Sequence, residues 1–208
     1  LAIGPMSILS PATAFISAIV PVSVGISQGE GGGLGFFIAL ALALIAVILV
    51  GFVPEAGAVR PQPIGLLMAA GSGTFIGLTI VLIDASPGDS GLIPLLANRI
   101  VSSTALLIAA AFVVLYRSVR QRSPRLPGLS ELMPVWHMIA IAGVLDVLAN
   151  VVVLYGLRLG DLSVVSVLVA LYPAGTILLA GVVLRERIAP IQWAGLVLAL
   201  GASALLAS

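Results

Sequence analysis

Seven long apolar runs constrain this chain more than any other feature of its sequence. Each approaches the roughly 20 apolar residues that an α-helix needs to cross a hydrocarbon layer about 30 Å thick. The chain is 61% hydrophobic and 8% charged, whereas about 25% of the residues of a soluble domain are charged. Runs such as IALALALIAVILVG (38–51) do not alternate polar and apolar residues, which excludes a transmembrane barrel. We therefore predict an all-α fold, a polytopic transmembrane helical bundle. Its predicted spans lie near 6–28, 34–53, 64–83, 92–116, 134–157, 162–184 and 190–207.

Two residue types are absent, and each absence excludes a class of site. The chain has no cysteine, so it has no disulfides and no thiolate metal site. All nine basic residues are arginine, and without lysine the chain has neither a retinal Schiff base nor a phosphate-binding loop. The glycines of GSGTFIG (71–77) are instead expected to form a helix-packing surface, because Gly73 and Gly77 have the small-xxx-small spacing. We expect no catalytic residues, no cofactor, no metal and no nucleic-acid partner.

The sequence contains an internal repeat. Residues 1–50 align without a gap with residues 157–206, at a shift of 156 positions. The matched small and charged residues are Gly4 and Gly160, Ser7 and Ser163, Ser10 and Ser166, Ala14 and Ala170, Ala18 and Ala174, Gly25 and Gly181, and Glu30 and Glu186. The small residues recur on one helix face, which is typical of a helix–helix contact and also of a cavity lining.

The repeat predicts the domain organisation. Residues 1–56 are expected to be the last two helices of a first half, 57–63 a linker, and 64–208 a complete second half of five helices. By the same shift, about three helices should precede Leu1, so we expect a protein with ten spans in two five-helix halves, the first truncated here. An odd number of helices in each half makes the two copies an inverted repeat in the bilayer.

The second copy also resembles a known family. The segment LSVVSVLVALYPAGTILLAGVVLRERIAPIQWAGLVLALGASALLA (162–207) is similar to the closing helices of EamA-type members of the drug/metabolite transporter superfamily, through Pro173, Glu186 and Gly195. The stretches ANRIVSSTALLIAAAFVVLYR and LYGLRLGD also fit. The first copy departs from this pattern, with Ser17 in place of the proline and Ala39 in place of the glycine. The resemblance implies the last seven of ten helices of a metabolite transporter.

An aspartate stands in the middle of one apolar run, in GVLDVLAN (143–150). Asp146 and Asn150 share a helix face, which should point away from lipid because an intramembrane carboxylate costs about 2.5–3.5 kcal/mol to insert. The carboxylate either stabilises helix packing or binds a substrate or proton. Arg99, beside Asn98, is the one basic residue clearly inside a span. It either pairs with Asp146 or extends to the membrane surface.

The remaining candidate residues are expected either to line a cavity or to stabilise the structure. Pro173 should kink the helix 162–184, since it cannot donate a backbone hydrogen bond. The kink is either merely tolerated, with the freed carbonyl satisfied by Tyr172 or a neighbour, or it serves a solute or a hinge, as broken helices often do in transporters. Further candidate cavity residues are Tyr155, Ser166, Tyr172 and Thr176. Structural roles are predicted for Glu30, Glu186 and Gly195. The two glutamates lie in loops at the ends of corresponding helices, and Glu186 is expected to be a salt-bridge or helix-start residue at the membrane surface.

The orientation in the membrane is left open by two opposing indications. The loop 116–134 carries four arginines, which places it in the cytoplasm and the C-terminus outside. The family resemblance instead implies that both termini are cytoplasmic.

The function that fits best is a secondary transporter of the cell (plasma or inner) membrane. It would move small organic metabolites, amino-acid-like or drug-like, by alternating access. Its partners would be a small-molecule substrate and membrane lipid, with proton coupling or no coupling, and the sequence indicates no oligomeric state. The alternatives are a seven-helix receptor, which needs no inverted repeat, and an intramembrane enzyme, which would need a second deep carboxylate facing Asp146.

Overall fold

The structure of this protein is a computed structural model that describes residues 6–31, 33–51, 62–120, 133–184 and 188–206. These residues form helices and turns, with no β-strand among them. The helices are α1 (Met6–Ser27), α2 (Leu34–Gly51), α3 (Pro63–Asp84), α4 (Ile93–Arg120), α5 (Trp136–Leu159), α6 (Leu162–Ala170), α7 (Tyr172–Leu179) and α8 (Pro190–Leu206). Two single 3-10 turns and a π-helical segment (Ala180–Leu184) complete the described elements.

The structure confirms the prediction of an all-α, polytopic helical bundle. In the described part of the chain, six stretches of helix are long and apolar enough to cross a membrane, and α6, α7 and part of the π-helical segment together form one of them. The seventh predicted span is the shorter helix α8, whose 17 residues make it about 25 Å long at 1.5 Å per residue.

The helices divide between two compact units. The larger unit comprises Leu1–Ala85 and Gly156–Ser208, and its described helices are α1 to α3, the last turn of α5, and α6 to α8. The smaller unit, Ser86–Tyr155, contains α4 and most of α5.

The core of the larger unit lies where α1 packs against α6. Ala14 and Ala18 on α1 are fully buried, as are Ser163 and Ser166 on α6. The small-residue stripe of the sequence is therefore a helix–helix contact at these positions, where short side chains let two backbones approach closely. The Ser163 hydroxyl, at the start of α6, lies 3.5 Å from the Val22 carbonyl oxygen near the end of α1. The two helices consequently run antiparallel.

A second close contact joins α2 to α8. A Cβ atom on Gly195 would lie 2.7 Å from the backbone nitrogen of Val50 and 3.0 Å from Cβ of Leu49. Only glycine fits at this distance, because real Cβ atoms essentially never come within 3.0 Å of another heavy atom. Gly195 is near the start of α8 and Val50 near the end of α2, so this pair of helices is antiparallel as well.

Helix α3 packs on α1 through the predicted glycine surface. A Cβ on Gly73 would lie 2.6 Å from the Thr13 carbonyl oxygen, and one on Gly77 would lie 3.0 Å from the Ser17 carbonyl oxygen. Pro21 cannot donate a hydrogen bond to the Ser17 carbonyl in the normal helical way. The proline therefore leaves that carbonyl open on the face of α1 that Gly77 approaches.

We expect Gly73→Ala to lower the free energy of unfolding by at least about 1 kcal/mol, because the added methyl group would press on the backbone of α1. The matched control is Gly71→Ala on the same helix, where an added Cβ has no heavy atom of the described residues within 4 Å. At that position alanine should stabilise the helix by up to about 1 kcal/mol. Thermal unfolding of the purified proteins in detergent measures both effects. A stabilising Gly73→Ala would contradict the close α1–α3 contact.

Candidate functional site

An ion pair between two predicted spans forms the first candidate site. In the smaller unit, Nη2 of Arg99 on α4 donates a hydrogen bond to Oδ2 of Asp146 on α5. The side chains are 44% and 54% exposed in the structure, so the pair is accessible rather than enclosed. Of the two alternatives that the sequence left open for Arg99, pairing with Asp146 is the one present.

Asn150 completes this cluster from the next turn of α5. Its side-chain nitrogen donates to the Asp146 backbone oxygen over 2.7 Å and to Oδ1 over 3.3 Å. The contact arises because residues four apart lie on the same side of a helix. Each carboxylate oxygen of Asp146 thus accepts one hydrogen bond, Oδ2 from the guanidinium and Oδ1 from the amide.

Two other predicted site residues of the smaller unit lie apart from these hydrogen bonds. Asn98 precedes Arg99 on α4, is half-buried, and has no hydrogen bond to the cluster. Tyr155 is nine residues after Asp146 on α5 and 58% exposed. Nine residues at about 100° each amount to two and a half turns, so Tyr155 is on the opposite side of α5 from the carboxylate.

The helix that carries Pro173 is interrupted by one turn residue, two positions before the proline. α6 ends at Ala170, Leu171 is a turn residue, and α7 begins at Tyr172. Pro173 is buried, and its carbonyl oxygen accepts a 2.8 Å hydrogen bond from the Thr176 hydroxyl. Tyr172 is 49% exposed at the start of α7. Ser166, one turn before the interruption, is fully buried, and its hydroxyl has no hydrogen-bond partner among the described residues.

A groove beside this interruption is almost entirely apolar. It has a volume of about 320 Å³ and lies between α6–α7 and α8, where Leu171, Ala174 and Trp193 are among its lining residues. Its one hydroxyl-bearing residue, Ser203, donates to the Ala199 carbonyl oxygen over 2.7 Å. The groove therefore suits hydrocarbon better than a polar solute.

Glu30 has a role that the sequence interpretation did not identify. Its two carboxylate oxygens accept hydrogen bonds from the backbone N–H groups of Leu162, over 2.7 Å, and Ser163, over 2.8 Å. Glu30 thus caps the start of α6, 132 residues away in sequence, and not the start of the following helix α2. The QGEG stretch (28–31), with a glutamate between two glycines, is the local signal of a specially shaped turn.

The remaining structural predictions concern Glu186 and Gly195. Glu186 lies outside the described residues. Gly195 lies at the close α2–α8 contact described above, which accounts for a glycine at this position.

Comparison with known proteins assigns the family. The model of the EamA-like transporter family matches residues 63–208, which is more than two thirds of the chain. Neither a curated protein nor a solved structure gives a significant match. The matched range begins one residue before the predicted second half, although the division into two halves stays a prediction. Because the family model matches and the helices are apolar, we conclude that the chain belongs to the EamA-like transporter family and is a multi-pass membrane transporter of the drug/metabolite transporter superfamily.

Proposed function

We propose that this protein is a secondary transporter that moves small organic metabolites, amino-acid-like or drug-like, across the plasma or inner membrane by alternating access. The observation that carries the proposal is the Arg99–Asp146–Asn150 cluster within two candidate spans. Ionisable residues inside membrane spans are costly, and they commonly mark the path of a solute, an ion or a proton.

The cluster offers complementary groups to a polar solute. The guanidinium of Arg99 can bind a carboxylate or phosphate through several donors, and the Asp146 carboxylate can accept hydrogen bonds from an ammonium group. Asn150 adds a neutral donor and an acceptor beside them. A solute with such groups can replace the internal ion pair without leaving either charge unpaired, which keeps binding reversible.

The antiparallel helix pairs support an alternating-access mechanism. α1 and α6 occupy corresponding positions in the predicted repeat, as do α2 and α8, and the members of each pair run in opposite directions. This is the relation that an inverted repeat requires, and transporters with inverted repeats expose a central site to each side in turn. The proposed whole protein has ten spans in two five-helix halves.

We propose that a proton gradient drives transport, or that the protein exchanges solutes without coupling to an ion. No phosphate-binding motif is present in the sequence to bind ATP. A carboxylate in a span is the group that can take up a proton, which assigns that role to Asp146.

Reconstituted flux tests the proposal. The purified protein in liposomes should catalyse saturable uptake of labelled solutes from a panel of amino acids, organic cations and organic anions, above protein-free liposomes. Unlabelled solute inside the vesicles should accelerate uptake of at least one of them, because exchange is a property of alternating access. Uptake should also respond to an imposed pH gradient if protons are coupled. Saturable binding without flux would favour the receptor alternative.

A further inference from the structure

The loop that carries Glu30 is shaped to present its carboxylate. At the end of α1, the Gly29 N–H donates to the Ile26 carbonyl oxygen over 3.1 Å, and the Glu30 N–H donates to the Gly25 carbonyl oxygen over 3.0 Å. These two bonds form a Schellman motif, whose left-handed residue is Gly29 at φ +92°. Gly31, at φ +152°, also adopts a positive φ that other residues rarely take. The backbone on both sides of Glu30 is therefore closely specified.

The start of α6 is shaped to receive that carboxylate. The first N–H groups of a helix lack intrahelical partners, and the local cap residue, Asp161, makes no side-chain cap bond. Glu30 satisfies two of these N–H groups, with a negative charge at the positive end of the helix dipole. Gly25 leaves the space that this contact needs, since a Cβ there would lie 2.1 Å from Oε2 of Glu30.

Helix α6 is a short segment held at one end and interrupted at the other. It has nine residues, and its Ser163, Ser166 and Val167 are fully buried. The helix ends at Ala170, and the turn residue Leu171 separates it from α7. Its face toward α1 is closed by packing and its start is bound by Glu30, so any change in the direction of the chain is easiest at the interruption.

We propose that Glu30 is a positioning residue for transport: it anchors α6 to α1 throughout the cycle, so that these helices move as one body and the chain bends at Leu171–Pro173. This inference rests on the proposed transport function. Glu30 does not contact the solute in this scheme. It acts through α6, by fixing the base from which α7 moves.

Kinetics of transport test the anchor. Glu30→Ala should lower the maximal transport rate about tenfold and change KM less than about twofold, since a lost helix cap and a lost position affect turnover rather than solute binding. Glu30→Gln keeps one acceptor oxygen, so its maximal transport rate should lie between those of Glu30→Ala and the unmodified protein. The matched control is Asp161→Asn, which removes a carboxylate at the same helix start that makes no cap bond, and it should transport normally.

A disulfide separates anchoring from any direct role of the carboxylate. The chain has no cysteine, so a Val22→Cys/Ser163→Cys pair would be its only thiols, at a point where the Ser163 hydroxyl lies 3.5 Å from the Val22 carbonyl oxygen. If Glu30 only holds α6 to α1, oxidation of this pair should restore transport to Glu30→Ala protein, and reduction should remove it again. The Val22→Cys/Ser163→Cys variant that retains Glu30 should transport normally when its disulfide is formed. Arrest of that protein by the disulfide would overturn the proposal, because it would show that the α1–α6 contact must open.

Amide hydrogen exchange gives a measure that does not depend on transport. In Glu30→Ala, exchange of the peptide 160–170 should accelerate about fivefold, as expected for a lost helix cap, and Asp161→Asn should leave it unchanged. Equal exchange rates of this peptide in Glu30→Ala, Asp161→Asn and the unmodified protein would overturn the proposal that Glu30 anchors α6. Absence of solute flux in the unmodified protein would instead overturn the proposed function, while exchange still decides whether Glu30 holds α6.

Discussion

Arg99→Gln should lower solute transport by at least about 100-fold, because it leaves the Asp146 carboxylate in a membrane span without its cation. Asp146→Asn should have a similar effect, since it leaves the guanidinium unpaired. Initial rates of uptake into proteoliposomes, normalised to the amount of folded protein, measure both. The matched control is Asp89→Asn, the same substitution in the short turn between α3 and α4, which should transport normally.

The double substitution separates a binding role from a packing role. Arg99→Gln/Asp146→Asn removes both charges at once, so it should fold better than either single variant, because no charge is left unpaired. If the pair binds the solute, transport should stay low although the protein is stable. Recovery of transport along with stability would contradict the proposed site and leave the pair a packing role.

The pH dependence of Asp146→Asn tests proton coupling separately. If Asp146 takes up the coupled proton, the residual transport of the variant should no longer respond to a pH gradient that drives the unmodified protein. Exchange of unlabelled for labelled solute at equal pH should persist at a reduced rate. An unchanged response to the gradient would assign proton uptake to another group.

Gly25→Ala should lower the free energy of unfolding by about 2 kcal/mol, because its methyl group would occupy the place of the Glu30 carboxylate. The atoms in its way are the ends of the Glu30 and Ser163 side chains rather than backbone. The carboxylate can therefore move aside, and the cost is the loss of its two hydrogen bonds to α6. Thermal unfolding in detergent measures the change.

Non-additivity with Glu30→Ala identifies the cause of this effect. Once the carboxylate is gone, the same methyl group should cost clearly less, because only the Ser163 hydroxyl must then move aside and neighbouring substitutions that remove one interaction do not add. Gly35→Ala is the matched control and should not destabilise the protein, since an added Cβ there has no heavy atom of the described residues within 4 Å. Equal effects of Gly25→Ala with and without Glu30 would contradict the explanation.

Much of the fold could be predicted because it depends on local composition. Helix length and position follow from uninterrupted apolar runs, since hydrocarbon leaves a backbone few other ways to satisfy its polar groups. The interruption near Pro173 and the packing of Gly73 and Gly77 likewise follow from what one residue type can do in a helix.

The contacts of charged side chains could not be predicted in the same way. Pairing of Arg99 with Asp146 requires α4 and α5 to hold the two residues at the same depth, which apolar runs do not specify. Glu30 reaches α6 only because α1 and α6 pack antiparallel over buried small residues, with Gly25 leaving space between them. The sequence by itself determined the membrane class and the helices. The tertiary structure decided which polar groups meet, because a hydrogen bond depends on positions to within a few tenths of an ångström.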